Sequence, residues 1–414
     1  MTNDLPKTAD SRRPELLAPA GDFTCLRTAI QAGADAVYFG VGELNMRAMA
    51  RNFSVADLPE IGRICRAAKV RAYLAANTIV FGGELPVLRE LLAAAVGQVD
   101  AVICWDPAVL ALCREFGLPI HVSTQASVAN AAAAVFYREQ GASRVVPARE
   151  CTLEEVRAIR AEADIEVETF IHGAMCVSYS GRCFLSQDMF GKSGNRGECY
   201  QPCRREYLVT EVEDGDQYIL GQDYVMSARD LCTLPFIEQL IGAGIDSFKI
   251  EGRNRNPEYV ATVVAAYRRA IDAHFTGTLD EPLKAELMEL LGGVFNRTFS
   301  TGFYHGRPIA EFAGSRGNQA EFCKELVGVV RNYYRRIKVV EIEVQSHSFA
   351  VGDEVLIQGP TTGLVRFRPE EIRHDGQPVD PAPRTVVTCT LADRVRLGDR
   401  VYVRVPRNGR KYGE

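Results

Sequence analysis

From Glu15 to about Arg269 the chain repeats one phrase. A short apolar strand ends in a polar or glycine-containing loop, a helix follows that often closes in Gly or Ala-Gly, and the next strand begins. Strands are read at Leu16–Ala20, Ala36–Gly40, Arg71–Asn77, Ala101–Asp106, Ile120–Thr124, Arg144–Arg149, Glu166–His172 and Asp246–Glu251. The helices between them show 3.6-residue spacing, as at Leu85, Leu88, Leu91, Leu92 and Ala95. In Ala-Gly-Ala-Asp at 32–35 and Ala-Gly-Ile-Asp at 243–246, glycine takes the left-handed position just past a helix and the chain turns into a strand. Strands alternating with helices pair in parallel, and right-handed crossovers curl such a set into a closed barrel. The strand count and the ~250-residue span predict an α/β fold, a (β/α)8 TIM-like barrel. An open doubly wound sheet is the alternative, disfavoured because no G-x-G-x-x-G follows the first strand.

The barrel is placed at 15–277. One connection in it is far too long: a cysteine-bearing insertion at 173–229 separates His172 from the helix near Asp230. Loops of that length tend to be functional, and a loop after a barrel strand lies at the C-terminal face, where active sites are built. A helical connector follows at 278–322. Beyond it strands are read at Leu326–Arg331, Val339–Val344, Glu354–Gln358, Val386–Leu391 and Arg400–Val405. The phrases F-A-V-G-D-E-V-L-I at 349–357 and V-R-L-G-D-R-V-Y-V at 395–403 each join an apolar residue, a Gly-Asp turn and an alternating strand. They predict a small C-terminal antiparallel β-barrel at 323–410.

Hydrophobic residues make up 47% and charged residues 24%, which excludes a mostly disordered chain. Mean hydropathy is −0.08, and no apolar run approaches the ~18 residues of a membrane helix. The stretch Met1 to Pro14 is polar and lacks the apolar centre of a secretory signal. A cytoplasmic location without a membrane partner is therefore expected, and the 12 cysteines are expected as thiols, metal ligands or catalytic groups rather than disulfides. A net charge of −5 excludes a general polyanion binder. A nucleic-acid partner would need a local basic patch, and R-N-Y-Y-R-R-I-K at 331–338 is one, with tyrosines to stack on unpaired bases.

The insertion concentrates the unusual chemistry. Cys176, Cys183, Cys199 and Cys203 are spaced C-x6-C-x15-C-x3-C. Four thiolates on one glycine-rich loop can wrap a single metal centre. Arg182, Arg204 and Arg205 beside them would lower the thiol pKa. Zinc suits the C-x3-C pair but not C-x6-C; an iron–sulfur centre tolerates wider spacing, though this is not a ferredoxin pattern. Four free thiols are the plain alternative. Cys25, Cys65, Cys104, Cys113, Cys323 and Cys389 are expected as packing residues, with Cys151 facing the mouth and Cys232 opening a helix as a reserve ligand.

Barrel geometry picks out a second set. Residues at the C-terminal ends of the strands point into the mouth: Asn77, Asp106, Gln125, Arg149, His172, Lys249, Glu251 and Arg253. Lys249 and Glu251, two apart on one strand, share a face. Arg149, Lys249 and Arg253 suit the carboxylates of a small anionic co-substrate, and Glu251 or His172 could move protons. A salt-bridge ring closing the barrel is the structural alternative. H-E-x-x-H, G-x-S-x-G and a P-loop are all absent.

At E-L-L-A-P-A-G-D (15–22), A-G-A-D-A-V-Y-F-G (32–40), H-V-S-T-Q-A-S (121–127), H-G-A-M-C-V-S-Y-S-G-R-C (172–183), G-E-C-Y-Q-P-C-R (197–204) and K-I-E-G-R (249–253), the chain resembles the collagenase-like "U" peptidase family, whose catalytic type is unassigned. Within it, the chain is most similar to the branch that hydroxylates the wobble uridine of tRNA to 5-hydroxyuridine without O2, with prephenate implied as oxygen source. Relatives in ubiquinone-ring hydroxylation carry a [4Fe-4S] cluster on four cysteines. The resemblance thus implies an enzyme with a [4Fe-4S] cluster at Cys176, Cys183, Cys199 and Cys203, prephenate as co-substrate, and tRNA, with or without a paralogous protein subunit, as partner. The alternatives it leaves are a peptidase and a non-catalytic iron–sulfur scaffold.

Overall fold

The strands read from the sequence close on themselves. The computed structural model describes residues 12–46, 48–49, 51–179, 181–220, 227–308 and 317–407. The first seven barrel strands are β1 (Glu15–Pro19), β2 (Ala36–Gly40), β3 (Arg71–Ala75), β4 (Ala101–Cys104), β5 (Ile120–Val122), β6 (Ala142–Val145) and β7 (Glu166–Ala174). The insertion adds β8 (Tyr207–Thr210), β9 (Gln217–Leu220) and β10 (Asp230–Cys232) before the eighth barrel strand, β11 (Ser247–Ile250). Neighbouring barrel strands pair in parallel, and β11 pairs in parallel with both β1 and β7, which shuts the barrel. β10 runs antiparallel along the end of β7, and β12 (Phe299–Ser300) lies beside it.

Helices α1 (Phe23–Gln31), α2 (Leu58–Ala68), α3 (Leu85–Ala95), α4 (Pro107–Phe116), α5 (Ala131–Glu139) and α6 (Leu153–Ala163) follow the first six strands. The short α7 (Leu185–Phe190) sits in the insertion, and α8 (Ile237–Gly242), α9 (Pro257–Thr276) and α10 (Glu281–Gly292) complete the set. Their starts are written locally: Asp22, Asp106, Asn130, Thr152, Asn256 and Asp280 each accept a first-turn N–H. Gly33 and Gly244 hold φ of +95° and +74°, as the Ala-Gly turns require. The aspartate after such a turn has a further task. Asp35, Asp100 and Asp246 each precede a strand and accept the backbone N–H of Leu16, Ala72 and Val167 on the neighbouring strand, at 2.8, 2.7 and 2.9 Å. One acid therefore stops a helix phrase and pins strand register.

The large apolar core lies between strands and helices. The barrel interior is different. Leu17, Tyr38, Tyr73 and Ile103 fill one side, but the β6, β7 and β11 side is charged. Buried Glu168 accepts from Lys249 Nζ at 2.8 Å and from Arg144 Nη1 at 3.2 Å. Arg144 also holds Glu15 at 2.7 Å and Glu166 at 2.8 Å. Burial pushes the Glu168 carboxyl up, but Lys249 and Arg144 outweigh it and hold it down to about 2. Burial likewise works against charge on Arg144, yet Glu168 and Glu15 keep it firmly cationic.

Five C-terminal strands were readable; the sheet has eight: β13 (Phe322–Tyr334), β14 (Val339–Val344), β15 (Val355–Gly359), β16 (Gly363–Phe367), β17 (Ile372–His374), β18 (Gln377–Pro378), β19 (Val386–Thr390) and β20 (Arg400–Pro406). They form one antiparallel sheet, ordered β16-β15-β20-β13-β14-β19-β17-β18, around its own apolar core. The expected β-barrel is thus a single curved sheet, whose end strands β16 and β18 do not pair with each other among the described residues. β17 and β18 were missed because two or three residues carry too little alternation to register. The sheet is fastened to α1 and α9 by Arg27 Nε to Pro360 O, Gln31 Nε2 to Thr362 O and Arg366 Nη2 to Thr262 Oγ1, at 2.8, 2.8 and 2.7 Å. Parts of the expected connector (309–316) and the expected C-terminal end (408–410) lie outside the described residues.

The buried charges make an asymmetric prediction. Glu168→Gln strands Lys249 without a carboxylate and should cost about 3–5 kcal/mol. Lys249→Met should cost clearly less, because Glu168 keeps Arg144. Urea unfolding midpoints check the order; equal losses would contradict it.

Candidate active site at the barrel mouth

The ends of β3, β5, β6 and β11 bring Asn77, Gln125, Arg149, Lys249, Glu251 and Arg253 onto the wall of one small cavity, about 50 Å³ in volume. Lys249 lies under the rings of Tyr38 and Phe170, at 4.6 and 5.5 Å. Burial pushes its ammonium below the ordinary lysine range, against the pull of Glu168. Arg149 stacks on Phe170 at 4.0 Å and donates Nη1 to Ala174 O at 2.8 Å. Its Nε is buried without a hydrogen-bond partner, an unusual state for a guanidinium. Arg253 Nη1 donates to Asn45 Oδ1 at 2.9 Å. Asn77 organises the opposite wall, accepting from Met46 N and donating towards Ser123 Oγ and Gln125 Oε1. A far larger cavity, about 1280 Å³, opens at the other end of the barrel and is walled by paired charges such as Arg160 with Asp246. It lies away from the strand ends that carry chemistry in this fold.

Two of the sequence-expected mouth residues are elsewhere. His172 should point inward by alternation from Glu168 and Phe170. A β-bulge intervenes: Phe170 faces Lys249, but His172 rather than Ile171 faces Ile250. The extra residue reverses the phase, and His172 packs outward against Tyr259, Tyr267 and Phe299. Its Nδ1 is 3.4 Å from Tyr267 Oη. Asp106 caps α4 through Ala108 N and accepts Val80 N, at 2.9 and 3.1 Å. Cys151 does not face the mouth but is buried in the outer core. Cys232 opens no helix; it sits on β10 opposite His172, 3.7 Å from Tyr267 Oη.

The four clustered cysteines are free thiols, with Cys176 and Cys199 exposed and Cys183 and Cys203 half-buried. Burial raises the Cys203 thiol, Arg204 opposes this, and Cys176, Cys199 and Cys183 add to the rise. The expected lowering by arginine is therefore outweighed at Cys203. Its dependence on all three others places the thiols within electrostatic reach of one another. Tetrahedral zinc would need them about 3.8 Å apart, given bonds near 2.3 Å. Among the described residues no three His, Cys, Asp or Glu side chains are gathered for a single ion. The donor set, four thiols on one loop with none in a disulfide, is of the kind that could hold a thiolate-ligated centre.

The loop bearing these thiols rests on the mouth. Gly181, at φ +75°, leaves room where a Cβ would lie 3.0 Å from Gln125 and 3.5 Å from Met46, both of the cavity wall. Arg196 ties the loop to Ile79 O and Glu84 and stacks on Phe81 at 4.6 Å. Arg204 holds Met175 O and the Ser227–Ala228 turn. Behind it, buried Asp230 meets Arg255 and Arg297 at 3.7 and 3.4 Å. Arg204 was singled out from the sequence, for its charge beside the thiols and not as an anchor; Arg196, Arg255 and Arg297 were not. Glu168 was not singled out either, although a signal existed: Glu166 and Glu168 alternate on β7, which puts both on one face. The 331–338 patch is an exposed hairpin end whose tyrosines bond back to their own sheet, at Leu391 O and Glu341, and it lines neither cavity. Among the described residues no helix is long and apolar enough to cross a membrane.

Comparison with known proteins bears on this site. Residues 21–313 match peptidase family U32. A protein named collagenase from Porphyromonas gingivalis is 39% identical, over 94% of this chain and 97% of its own. The tRNA hydroxylation protein P1 of Bacillus subtilis is 36% identical, over 94% of each. The 23S rRNA 5-hydroxycytidine synthase of Escherichia coli is 37% identical, over 64% of this chain and 40% of that one.

Burial, with Arg144 beside His121 and Arg255 beside His172, pushes both histidines down to about 3. The unfolded chain protonates them near 6.5, so between those values it binds more protons than the native state. Stability should fall as pH drops below 6.5, by up to about 1.4 kcal/mol per pH unit for each histidine. His121→Phe should remove roughly half of that slope between pH 6.5 and 5, as read by urea unfolding. An unchanged slope would refute the buried neutral state.

Proposed function

The chain belongs to peptidase family U32, an enzyme family, and on that premise we propose that it hydroxylates RNA. The substrate is tRNA, the product 5-hydroxyuridine at the wobble position, and no O2 is consumed. Prephenate is the anionic oxygen donor. The observation that carries this reading is the seating of four free thiols on a loop that lies against a cation-lined barrel mouth. Cys176, Cys183, Cys199 and Cys203 would hold a [4Fe-4S] cluster, which would supply one-electron transfers.

The chain's own residues do the rest. Arg149, with its unpartnered Nε, and Arg253, presented by Asn45, receive the carboxylates of the donor. Lys249 adds a positive charge whose proton is held less tightly than on an exposed lysine. Glu251, on the same face of the chain two residues on, is the group placed to take a proton from the reacting base. His172 has no part in this, being neutral and turned to the outer core. The cavity of about 50 Å³ is smaller than the ~300 Å³ at which ligand pockets begin. The Gly181 segment therefore moves off Gln125 and Met46 as the donor enters. Exposed rings at Tyr179, Phe184 and Tyr200 offer stacking faces for unpaired bases. The collagenase-named relative favours proteolysis as a second reading, but the histidine nearest the thiols in sequence faces Tyr267 rather than Cys176.

Mass spectrometry of tRNA nucleosides from a strain lacking this chain should show 5-hydroxyuridine gone; an unchanged level would reject the reading. Alanine at any of Cys176, Cys183, Cys199 or Cys203 should remove more than half of the iron from anaerobically purified protein. Cys65→Ala and Cys113→Ala should not. Stoichiometric zinc instead of iron would defeat the cluster assignment. Arg253→Ala should lower hydroxylation about 100-fold while tRNA still binds. Loss of peptide cleavage in the cysteine variants, with nucleosides unaltered, would establish the peptidase.

A further inference from the structure

We propose that the cleft between the barrel mouth and the C-terminal sheet is the track for the unpaired RNA strand next to the target base, with Arg51 and Arg400 taking its phosphates from opposite walls. This rests on the RNA-hydroxylation reading above and goes beyond it by assigning a binding surface. The cleft has a volume of about 560 Å³, within the range of ligand-sized pockets and room for roughly one or two nucleotides. One wall consists of barrel loops: Asp22 after β1, Arg51 after β2, and Arg253 to Pro257 after β11. The other wall is the C-terminal sheet, with Lys324 on β13, Gln358 on β15, and Arg400 and Tyr402 on β20.

Charge is the first argument. Arg51, Arg253, Arg255, Lys324 and Arg400 line this cleft against a single carboxylate, Asp22, in a chain whose net charge is −5. Two of these cations are already matched: Arg255 meets Asp230 at 3.7 Å and Lys324 meets Glu258 at 2.6 Å. Arg51 approaches Asp22 only to 3.6 Å, with 84% of its side chain exposed. Arg400 is exposed and has no ion-pair partner among the described residues. The charge left for a ligand is thus concentrated on two arginines, one on each wall of the cleft. Both are exposed, so a polymer can reach them.

Continuity is the second argument. Arg253 lines this cleft and also the mouth cavity, so a strand lying here delivers its next base towards Lys249 and Glu251. Rigidity is the third. The bonds from α1 and α9 to the sheet fix the two walls relative to each other. The cleft is therefore formed before any ligand arrives, which spares the ordering cost of binding.

The test is the affinity of an anticodon stem–loop RNA, read by fluorescence anisotropy at several salt concentrations. Arg51→Ala with Arg400→Ala should weaken binding at least 10-fold near physiological salt. It should also flatten the log Kd–log salt slope by about 1.4, since a single strand loses about 0.7 per phosphate contact. Iron content and thermal unfolding should stay at the wild-type level. Arg51→Lys with Arg400→Lys should restore most of the affinity, because the term is largely charge. Unchanged affinity and slope in the alanine pair would overturn the inference while leaving the hydroxylation reading standing. A raised KM for the anionic donor with intact RNA binding would overturn it too, giving the cleft to the donor. If the wild-type protein binds no RNA, both readings fall together.

Discussion

A buried carboxylate, set between two cations inside a barrel, governs much of this structure. Glu168 stays ionised only because Lys249 and Arg144 flank it. Arg144 in turn collects Glu15 and Glu166 at the N-terminal face, while Lys249 rises beneath the rings of Tyr38 and Phe170. Opposite charges therefore alternate along the interior, from one end of the barrel towards the other. An interior of hydrocarbon layers would have been the simpler packing solution. The ionic one costs desolvation, and what it provides is position: Lys249 is held at one height and against one partner, with no rotamer freedom left to it.

Above that fixed floor the cysteine insertion is secured near its middle as well as at its flanks. Arg196 grips the loop after β3, and Arg204 joins Met175, beside the first clustered cysteine, to the return turn at Ser227 and Ala228. Burial, Arg204 and Arg255 all work against the charge of Arg297, with Asp230 opposing them. Arg255 and Arg297 share that one buried acid, while Arg204, next to Cys203, spends its hydrogen bonds on Ser227 and on the carbonyls of Ala228 and Met175. Cys176 and Cys199 remain exposed.

The barrel was legible because its information is local and repeated. Each helix carries its own cap, each Ala-Gly turn its positive φ, and each aspartate after a turn its partner on the adjacent strand. The cysteine spacing and the strand-end arginines were legible for the same reason. What escaped was long-range. Asn45 meets Arg253 across 208 residues and Glu15 meets Arg144 across 129, and no window along the chain contains both members. Cys232 was read as a helix start, because nothing near it announces a strand that pairs backwards onto β7. The hairpin at 331–338 reads as a nucleic-acid surface by composition and stays exposed, while the hydrogen bonds of its tyrosines into their own sheet could not be seen in one dimension.

The bulge at the end of β7 acts as a parity switch. One surplus residue there decides which side chains from that point onward belong to the lumen and which to the shell. Gly173 follows at φ +112°, packed against Glu251 and Tyr259 so closely that a Cβ would collide with both. The single-residue slip is thereby locked by a site that accepts no side chain. Regular pairing of all these residues, without the bulge, would not merely straighten a strand. It would exchange the lining of the barrel for its covering, drive an imidazole into a lumen already balanced in charge, and start the whole cysteine segment from the wrong face.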